Sequence, residues 1–357
     1  MRPAKALDAV LVAAGDIAGC GHAGDSITAA LVAATGGTVA TLGDNVYNHG
    51  SAAQFANCYG PTWGRFKGRT RPAVGNHEYR TRGATGYFNY FGPQAGPRGK
   101  GWYSYNLGSW HVVVLNSNCA HVGCGKGSEQ ERWLRADLAA HSQQCTLAYW
   151  HHPRFSSDNR HGNWAAVGPF WDALYEYGAD VVLSGHAHVY ERFAPQTPWA
   201  KADPAHGIRQ FVVGTGGAGR YGFRGVKANS QVRNASTFGV LRLNLRPGGY
   251  DWRFLPQAGR TFTDAGSGAC HGRPTAVTPP PPTTTTRPVV TSSSTTTTTR
   301  RPAVPPTTTT SRLAVSSTTT TRPPATTSTT RRPAPSTTST TKPPPTTTTT
   351  RRNGYYG

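Results

Sequence analysis

Between residues 9 and 188 the chain repeats one arrangement, a short apolar run followed almost at once by a carboxylate, an amide or an imidazole. Ala9–Ala14 leads to Asp16. Thr38–Leu42 leads to G-D-N-V-Y with Asp44 and Tyr47, and residues 71–74 to G-N-H-E with Asn76 and His77. Residues 146–150 lead to H-H-P with His151, and residues 181–183 to G-H-A-H with His186 and His188. Short apolar runs bounded by glycine fit buried strands. A chain built this way must fold so that several strand ends meet, because these polar side chains cannot be buried one by one without partners.

The segments between the runs supply the other elements. Residues 26–34 read as a helix with Asp25 as its N-cap. Residues 102–106 and 110–116 read as antiparallel strands joined around Gly108-Ser109. Ser128-x-x-Glu131 is a capping box opening a helix to about Ala140, with Trp133, Leu134 and Leu138 inward. Trp164, Val167, Phe170, Trp171, Leu174 and Tyr175 recur at helical spacing and read as core packing. Residues 211–213, 238–245 and 250–255 suggest further strands, the last two a hairpin across Pro247-Gly248-Gly249. Strands alternating with helices and then pairing as hairpins imply a mixed-sheet α/β sandwich. The polar residues then fall at the carboxyl ends of strands, where open α/β sheets place ligands.

Composition divides the chain near residue 274. Residues 1–274 are mixed and aromatic-rich, enough for one large domain with a substantial core. Residues 275–357 are almost entirely Thr, Pro, Ser, Arg, Ala and Val, and are expected to be a low-complexity disordered tail. Its Thr-rich blocks, punctuated by Arg or Lys beside Pro, read as an extended, O-glycosylated stalk or a solvated linker. Its charge would favour anionic cell-wall or membrane surfaces. The tail holds ten of the 37 basic residues and no acid, so the remainder carries 27 against 16, a net +11 within the total of +21. A basic domain suits small phosphorylated substrates. Nucleic acid is disfavoured, because no run of basic residues interleaved with aromatics stands out in the domain. No stretch reaches the roughly 18 apolar residues of a transmembrane helix.

Six cysteines, with no C-x-x-C pair, point to disulfides in an oxidising compartment, with buried free thiols as the other reading. Cys119 and Cys124 are near enough to close a small loop. A secreted or cell-surface protein is therefore expected. No signal peptide is visible, since the first apolar run goes straight into Asp16, so the expectation includes a removed signal or a misplaced start.

The donor set itself suggests two adjacent cations. The Asp44 carboxylate has two oxygens and can bridge cations about 3.5–4 Å apart. Asn76 offers a neutral oxygen that keeps the centre open to an anion. His186 and His188 can both reach a metal only where the backbone turns, and Gly185 is expected to make that turn. Tyr47 taken alone reads as a packed aromatic with its hydroxyl on a backbone group.

Taken in order, the blocks resemble the calcineurin-like metallophosphoesterase superfamily and, within it, the purple acid phosphatases. Many superfamily members carry a His two residues after the first Asp. Here that position is Ala18, and the Tyr of G-D-N-V-Y stands in its place, as in the purple acid phosphatase pattern. G-H-A-H-V-Y-E-R (185–192) is also similar to that branch. The first block, G-D-I-A, lacks the family's usual glycine. G-T-G-G (214–217) resembles a family element at the site rim but is equally an ordinary loop.

The resemblance implies a four-layer α/β/β/α sandwich of two mixed sheets and a dinuclear centre. Asp16, Asp44, Tyr47 and His188 would hold the first metal, and Asp44, Asn76, His151 and His186 the second. A phenolate ligand implies Fe(III) at the first site, with divalent Fe, Zn or Mn at the second. The His-x-Pro spacing selects His151 over His152, leaving His152 as a supporting or surface residue. His77 would bind phosphate or protonate the leaving group. His161, ten residues after His151, is the second catalytic candidate, weighed against a surface histidine. Glu78 would orient an imidazole or a loop amide. The activity implied is an acid-phosphatase-like phosphomonoesterase with a metal-bound hydroxide nucleophile. The rival readings are a phosphodiesterase or nucleotidase on the same core, and a non-catalytic secreted surface-binding protein.

Overall fold

The computed structural model describes residues 8–273. The tail from 275 onward lies outside the described residues, and so do the expectations placed on it. Seven strands occupy the first part: β1 (Ala9–Ala14), β2 (Ala18–Gly19), β3 (Thr38–Leu42), β4 (Val46–Tyr47), β5 (Thr70–Ala73), β6 (Tyr103–Leu107) and β7 (Trp110–Val114). The rest are β8 (Cys145–Trp150), β9 (Val181–Ser184), β10 (Tyr190–Phe193), β11 (Arg209–Val213), β12 (Ser230–Asn234), β13 (Gly239–Arg246), β14 (Gly249–Pro256) and β15 (Ala265–Ala269). One sheet runs β15-β14-β13-β1-β3-β5 and the other β12-β10-β11-β9-β8-β7-β6. Each is mixed. β1, β3 and β5 are parallel, as are β7, β8, β9 and β11, while hairpin partners pair antiparallel at the edges.

Alternation along the second sheet shows why it is buried on both faces. Leu147, Tyr149, Val181, Leu183, Phe211 and Val213 join the core shared with the first sheet. Their neighbours Ala148, Trp150, Val182 and Val212 join a second core with Leu134, Leu138, Phe170, Trp171 and Leu174. A period of two sends successive side chains to opposite faces. The helices Glu129–Ala140 and Gly168–Glu176 cover the outer face, and Gly24–Thr35 packs Ala29 and Val32 against the first sheet. This is the expected sandwich of two mixed sheets between helical layers. Cross-sheet hydrogen bonds tie the inner faces, from the Tyr149 hydroxyl to the Arg71 carbonyl and from the Trp110 indole to the Arg246 carbonyl.

Several local expectations are corrected. Asp25 is not an N-cap. Ala23 holds that position with no side-chain bond, and Asp25 lies inside the first turn, where its carboxylate accepts from the Thr62 hydroxyl. The Ser128 hydroxyl does cap its helix by accepting from the Glu131 amide. Glu131, however, reaches back to the Gly127 amide, so the box closes one residue early. Trp164 is not core. It lies outside the helix, 37% exposed, and stacks on His152. All six cysteines pair, as Cys20–Cys58, Cys119–Cys124 and Cys145–Cys270.

Candidate metal centre

Five loops bring the predicted residues together. Asp16, Asp44 and Asn76 follow the adjacent parallel strands β1, β3 and β5, while His151 and His186 follow β8 and β9 of the other sheet. The carboxyl ends of both sheets therefore face one another across the centre. β2 and β4 pair Ala18 with Val46 and Gly19 with Tyr47, which fixes Tyr47 beside the Asp16 loop.

The backbone is strained where it delivers these groups. Asp16, Asp44 and His186 adopt left-handed φ of 60°, 47° and 67°, each costing on the order of 1–3 kcal/mol. The turn expected at Gly185 is thus made at His186 itself. Gly185 serves close approach instead, since a Cβ there would lie 2.8 Å from Asp16 Oδ2. Gly75 is tighter still, with a Cβ reaching 2.1 Å from Asp44 Oδ1.

Each carboxylate is split between two tasks. Asp16 Oδ2 accepts the His186 amide at 2.8 Å, and Asp44 Oδ1 accepts the His77 amide at 2.8 Å. Their other oxygens point inward. Tyr47 Oη lies 2.8 Å from Asp16 Oδ1, 3.0 Å from Asp44 Oδ2 and 3.0 Å from His188 Nε2. His151 Nε2 lies 3.2 Å from the same Asp44 Oδ2, 3.0 Å from Asn76 Oδ1 and 3.2 Å from His186 Nδ1. Two four-atom groups therefore share one oxygen, Asp44 Oδ2.

These donor atoms suit cations on their own chemistry. Three acceptors converge on the single proton of the Tyr47 hydroxyl. His151 donates Nδ1–H to the Leu42 carbonyl, which leaves Nε2 facing inward as a lone pair in the neutral ring. Asp16 and Asp44 are 0% and 2% exposed, and among the described residues neither has a Lys or Arg ion-pair partner. Such buried charge needs a counter-charge.

The titration directions agree. Burial opposes ionisation of Asp44, but His151 and His77 outweigh it and hold the carboxyl well below its usual range. Burial also works against a proton on His151, yet Asp44 lifts that imidazole to about 9. Without a cation, a proton on His151 offsets the carboxylate. Burial first, then neighbouring histidines, push His186 well below the usual imidazole range, so its nitrogens are free to ligate.

The surrounding residues fall into place with some surprises. His77 donates Nδ1–H to the Asn48 carbonyl, and its Nε2 lies 3.9 Å from Asp44 Oδ2 at the open side. The His161 ring sits 4.0 Å from that of His186, half-buried, so it is a site residue by position and not a remote surface histidine. Glu78 accepts the amides of Gly75, Asn45 and Val46 and so braces two of the loops. His152 is buried, bonded to the Ser117 hydroxyl and stacked on Trp164, which corrects the surface alternative. Sequence reasoning missed Trp164 and Tyr221. Tyr221 stacks on His188 at 4.0 Å and 8°. It belongs to R-Y-G-F-R (220–224), a short run that does interleave bases with aromatics and was the available signal.

A sequence model of the calcineurin-like phosphoesterases matches residues 2–190, more than half of the chain. The chain belongs to that family. Purple acid phosphatase 15 of Arabidopsis thaliana is 32% identical over 173 residues, covering 43% of this chain and 32% of the relative. A purple acid phosphatase of Glycine max is 29% identical over 183 residues, covering 42% of this chain and 35% of the relative. The solved purple acid phosphatase from yellow lupin (Lupinus luteus) seeds superposes with a TM-score of 0.61 at 18% identity, over 74% of this chain and 54% of that one, which shows the shared fold. The chain spans about a third of the length of the curated relatives it matches. These relatives represent the purple acid phosphatase-like branch, the one that Tyr47 and Ala18 lead one to expect. Among the described residues no helix is long and apolar enough to cross a membrane.

Proposed function

We propose that this family member is a dinuclear-metal phosphoric ester hydrolase acting on small phosphomonoesters. The observation that carries the reading is the shared Asp44 Oδ2, within 3.2 Å of both Tyr47 Oη and His151 Nε2. Asp16, Asp44, Tyr47 and His188 would hold one ion, ferric because of the phenolate, and Asp44, Asn76, His151 and His186 a divalent Fe, Zn or Mn. Bound there, the ions would neutralise phosphoryl oxygens and lower the pKa of a coordinated water.

The remaining chemistry belongs to the chain. His77 fixes its tautomer through Asn48, so its Nε2 is the nitrogen turned to the open side and the one placed to meet the leaving oxygen. With Nδ1–H held by Asn48, Nε2 carries a proton only in the imidazolium form, which burial disfavours, and that proton would pass to the leaving oxygen as the ester bond breaks. His161 lies against the second ligand group, where it would contact the phosphoryl oxygens. The three disulfides support an extracellular setting. The same proposal takes residues 1–274 as the catalytic domain and 275–357 as a separate tail.

Elemental analysis with an absorbance spectrum tests the centre, and turnover of para-nitrophenyl phosphate against its bis ester tests the specificity. Two metals per chain and preference for the monoester are expected. Metal-free, inactive protein would sink the reading, and preference for the bis ester would move it to a diesterase. His77→Ala should lower turnover at least about tenfold with metal content intact. Unchanged turnover would remove the acid role.

A further inference from the structure

Two loops at the rim are fastened to each other beside the His188 side of the centre. Asn159 donates its amide to the Gly222 carbonyl, the Gly222 amide donates to the Asn159 side chain, and Asp158 bridges to Phe223. Arg224 N–H donates to the Ser157 carbonyl. Within the first loop the buried Asp158 carboxylate accepts the amides of Arg160, His161 and Gly162. Arg160 is therefore set on a braced turn. Its guanidinium lies 4.5 Å over the Tyr221 ring, which also stacks on His188. Among the described residues this exposed guanidinium has no carboxylate ion pair. The partner loop adds Arg220, Arg224 and Lys227 and no acid between residues 214 and 227.

An unpaired guanidinium, seated on an aromatic ring that itself stacks on the His188 imidazole, is arranged to bind an anion. We propose that Arg160, seated on Tyr221, forms a subsite for a second anionic group of the substrate. The favoured substrates are then phosphoesters that carry another phosphate, such as sugar bisphosphates. This rests on the phosphatase reading above. The scissile phosphate goes to the centre and the second phosphate to the guanidinium fork. Arg160 touches no reacting atom, so its contribution falls on KM.

The test compares fructose 1,6-bisphosphate with glucose 6-phosphate. The unmodified protein should favour the bisphosphate in kcat/KM. Arg160→Ala should lower that value about tenfold through KM, as expected for loss of a bidentate phosphate contact. Glucose 6-phosphate should change less than about twofold, because it lacks the second anion. Arg160→Lys, which keeps charge without the fork, should fall between. An equal loss on both substrates, or no loss on either, would overturn the subsite. Calorimetric titration of fructose 1,6-bisphosphate into both proteins separates the two readings. If nothing is hydrolysed the phosphatase reading fails, while the subsite stands on weakened binding by Arg160→Ala and falls on equal binding.

Discussion

Replacing Asp158 with alanine tests how far the rim depends on one buried carboxylate. Asp158 is 5% exposed, and its oxygens accept the Arg160 amide at 2.8 Å, the His161 amide at 3.0 Å, the Gly162 amide at 2.9 Å and the Ser156 hydroxyl at 3.1 Å. The substitution orphans three amides at once. Bonds to a charged acceptor contribute about 1.5–3 kcal/mol each, but the loop is half exposed and water can reach released donors, so about 1 kcal/mol apiece is appropriate. The total is on the order of 3 kcal/mol. For a domain of this size each kcal/mol moves the Tm by about 2–4 °C, which gives a fall of about 6–12 °C if the loop melts with the whole. Local opening would spare the Tm and instead expose the amides of residues 160–162 to exchange. Thermal unfolding and hydrogen exchange on the metal-loaded protein read both routes. An unchanged Tm together with unchanged protection at those amides would refute the reasoning.

Three other perturbations follow from the same geometry. In metal-stripped protein, His151 at about 9 lies above its ordinary 6.5, so its contribution is full below pH 6.5 and is lost as pH rises through 9. Denaturant titration should show a loss on the order of 3 kcal/mol across that window; Glu78, pushed up to about 8 by burial and by Asp44, acts in the same direction from 4.5. Reloading metal should flatten the profile, and an equal slope with metal bound would show that cations do not replace the His151 proton. Gly75→Ala places a carbon 2.1 Å from Asp44 Oδ1 and 2.2 Å from its amide nitrogen. It should lower metal affinity at least about tenfold, read by competition with a chelator; wild-type affinity would mean that the two loops are not in fixed register. Replacing Cys145 and Cys270 together with alanine opens a link spanning 125 residues. That should cost up to about 5 kcal/mol, measured by urea unfolding, and a cost below about 1 kcal/mol would contradict the chain-entropy account.

The sequence made the central strands legible because burial on both faces leaves continuous apolar runs, as in Leu11–Ala14 and Leu147–Trp150. It revealed the edge strands β5 and β6 but not the opposite edges, β12 and β15. Ser230–Asn234 is polar throughout except Val232, and Ala265–Ala269 is mostly glycine and alanine. The latter strand forms because Gly266 and Gly268 leave room for the Trp252 and Tyr250 rings, a requirement set by a neighbour and invisible locally. The candidate site was legible for a different reason. Its donors cluster in short blocks, and each block names its own chemistry. What escaped were contacts made across the chain. Trp164 stacks on His152 and Tyr221 on His188, and no spacing within one segment encodes either meeting.

The cross-bonds explain why the strained backbone at Asp16 and His186 is tolerated. Asp16, after a strand of the first sheet, accepts the amide of His186 after a strand of the second. His151, in the second sheet, donates to the Leu42 carbonyl in the first. Gly15 N–H donates to the Val213 carbonyl, and the Gly216 amide donates back to the Gly15 carbonyl. The left-handed turns at Asp16 and His186 are thus held by bonds that also close the sandwich at its carboxyl end. Relaxing either turn would break bonds that fasten the two sheets there, so the strain cannot escape locally. That coupling holds the inward oxygens of Asp16 and Asp44 on the Tyr47 hydroxyl, and under the proposed reading it would give a metal site affinity by preorganisation and not by flexibility.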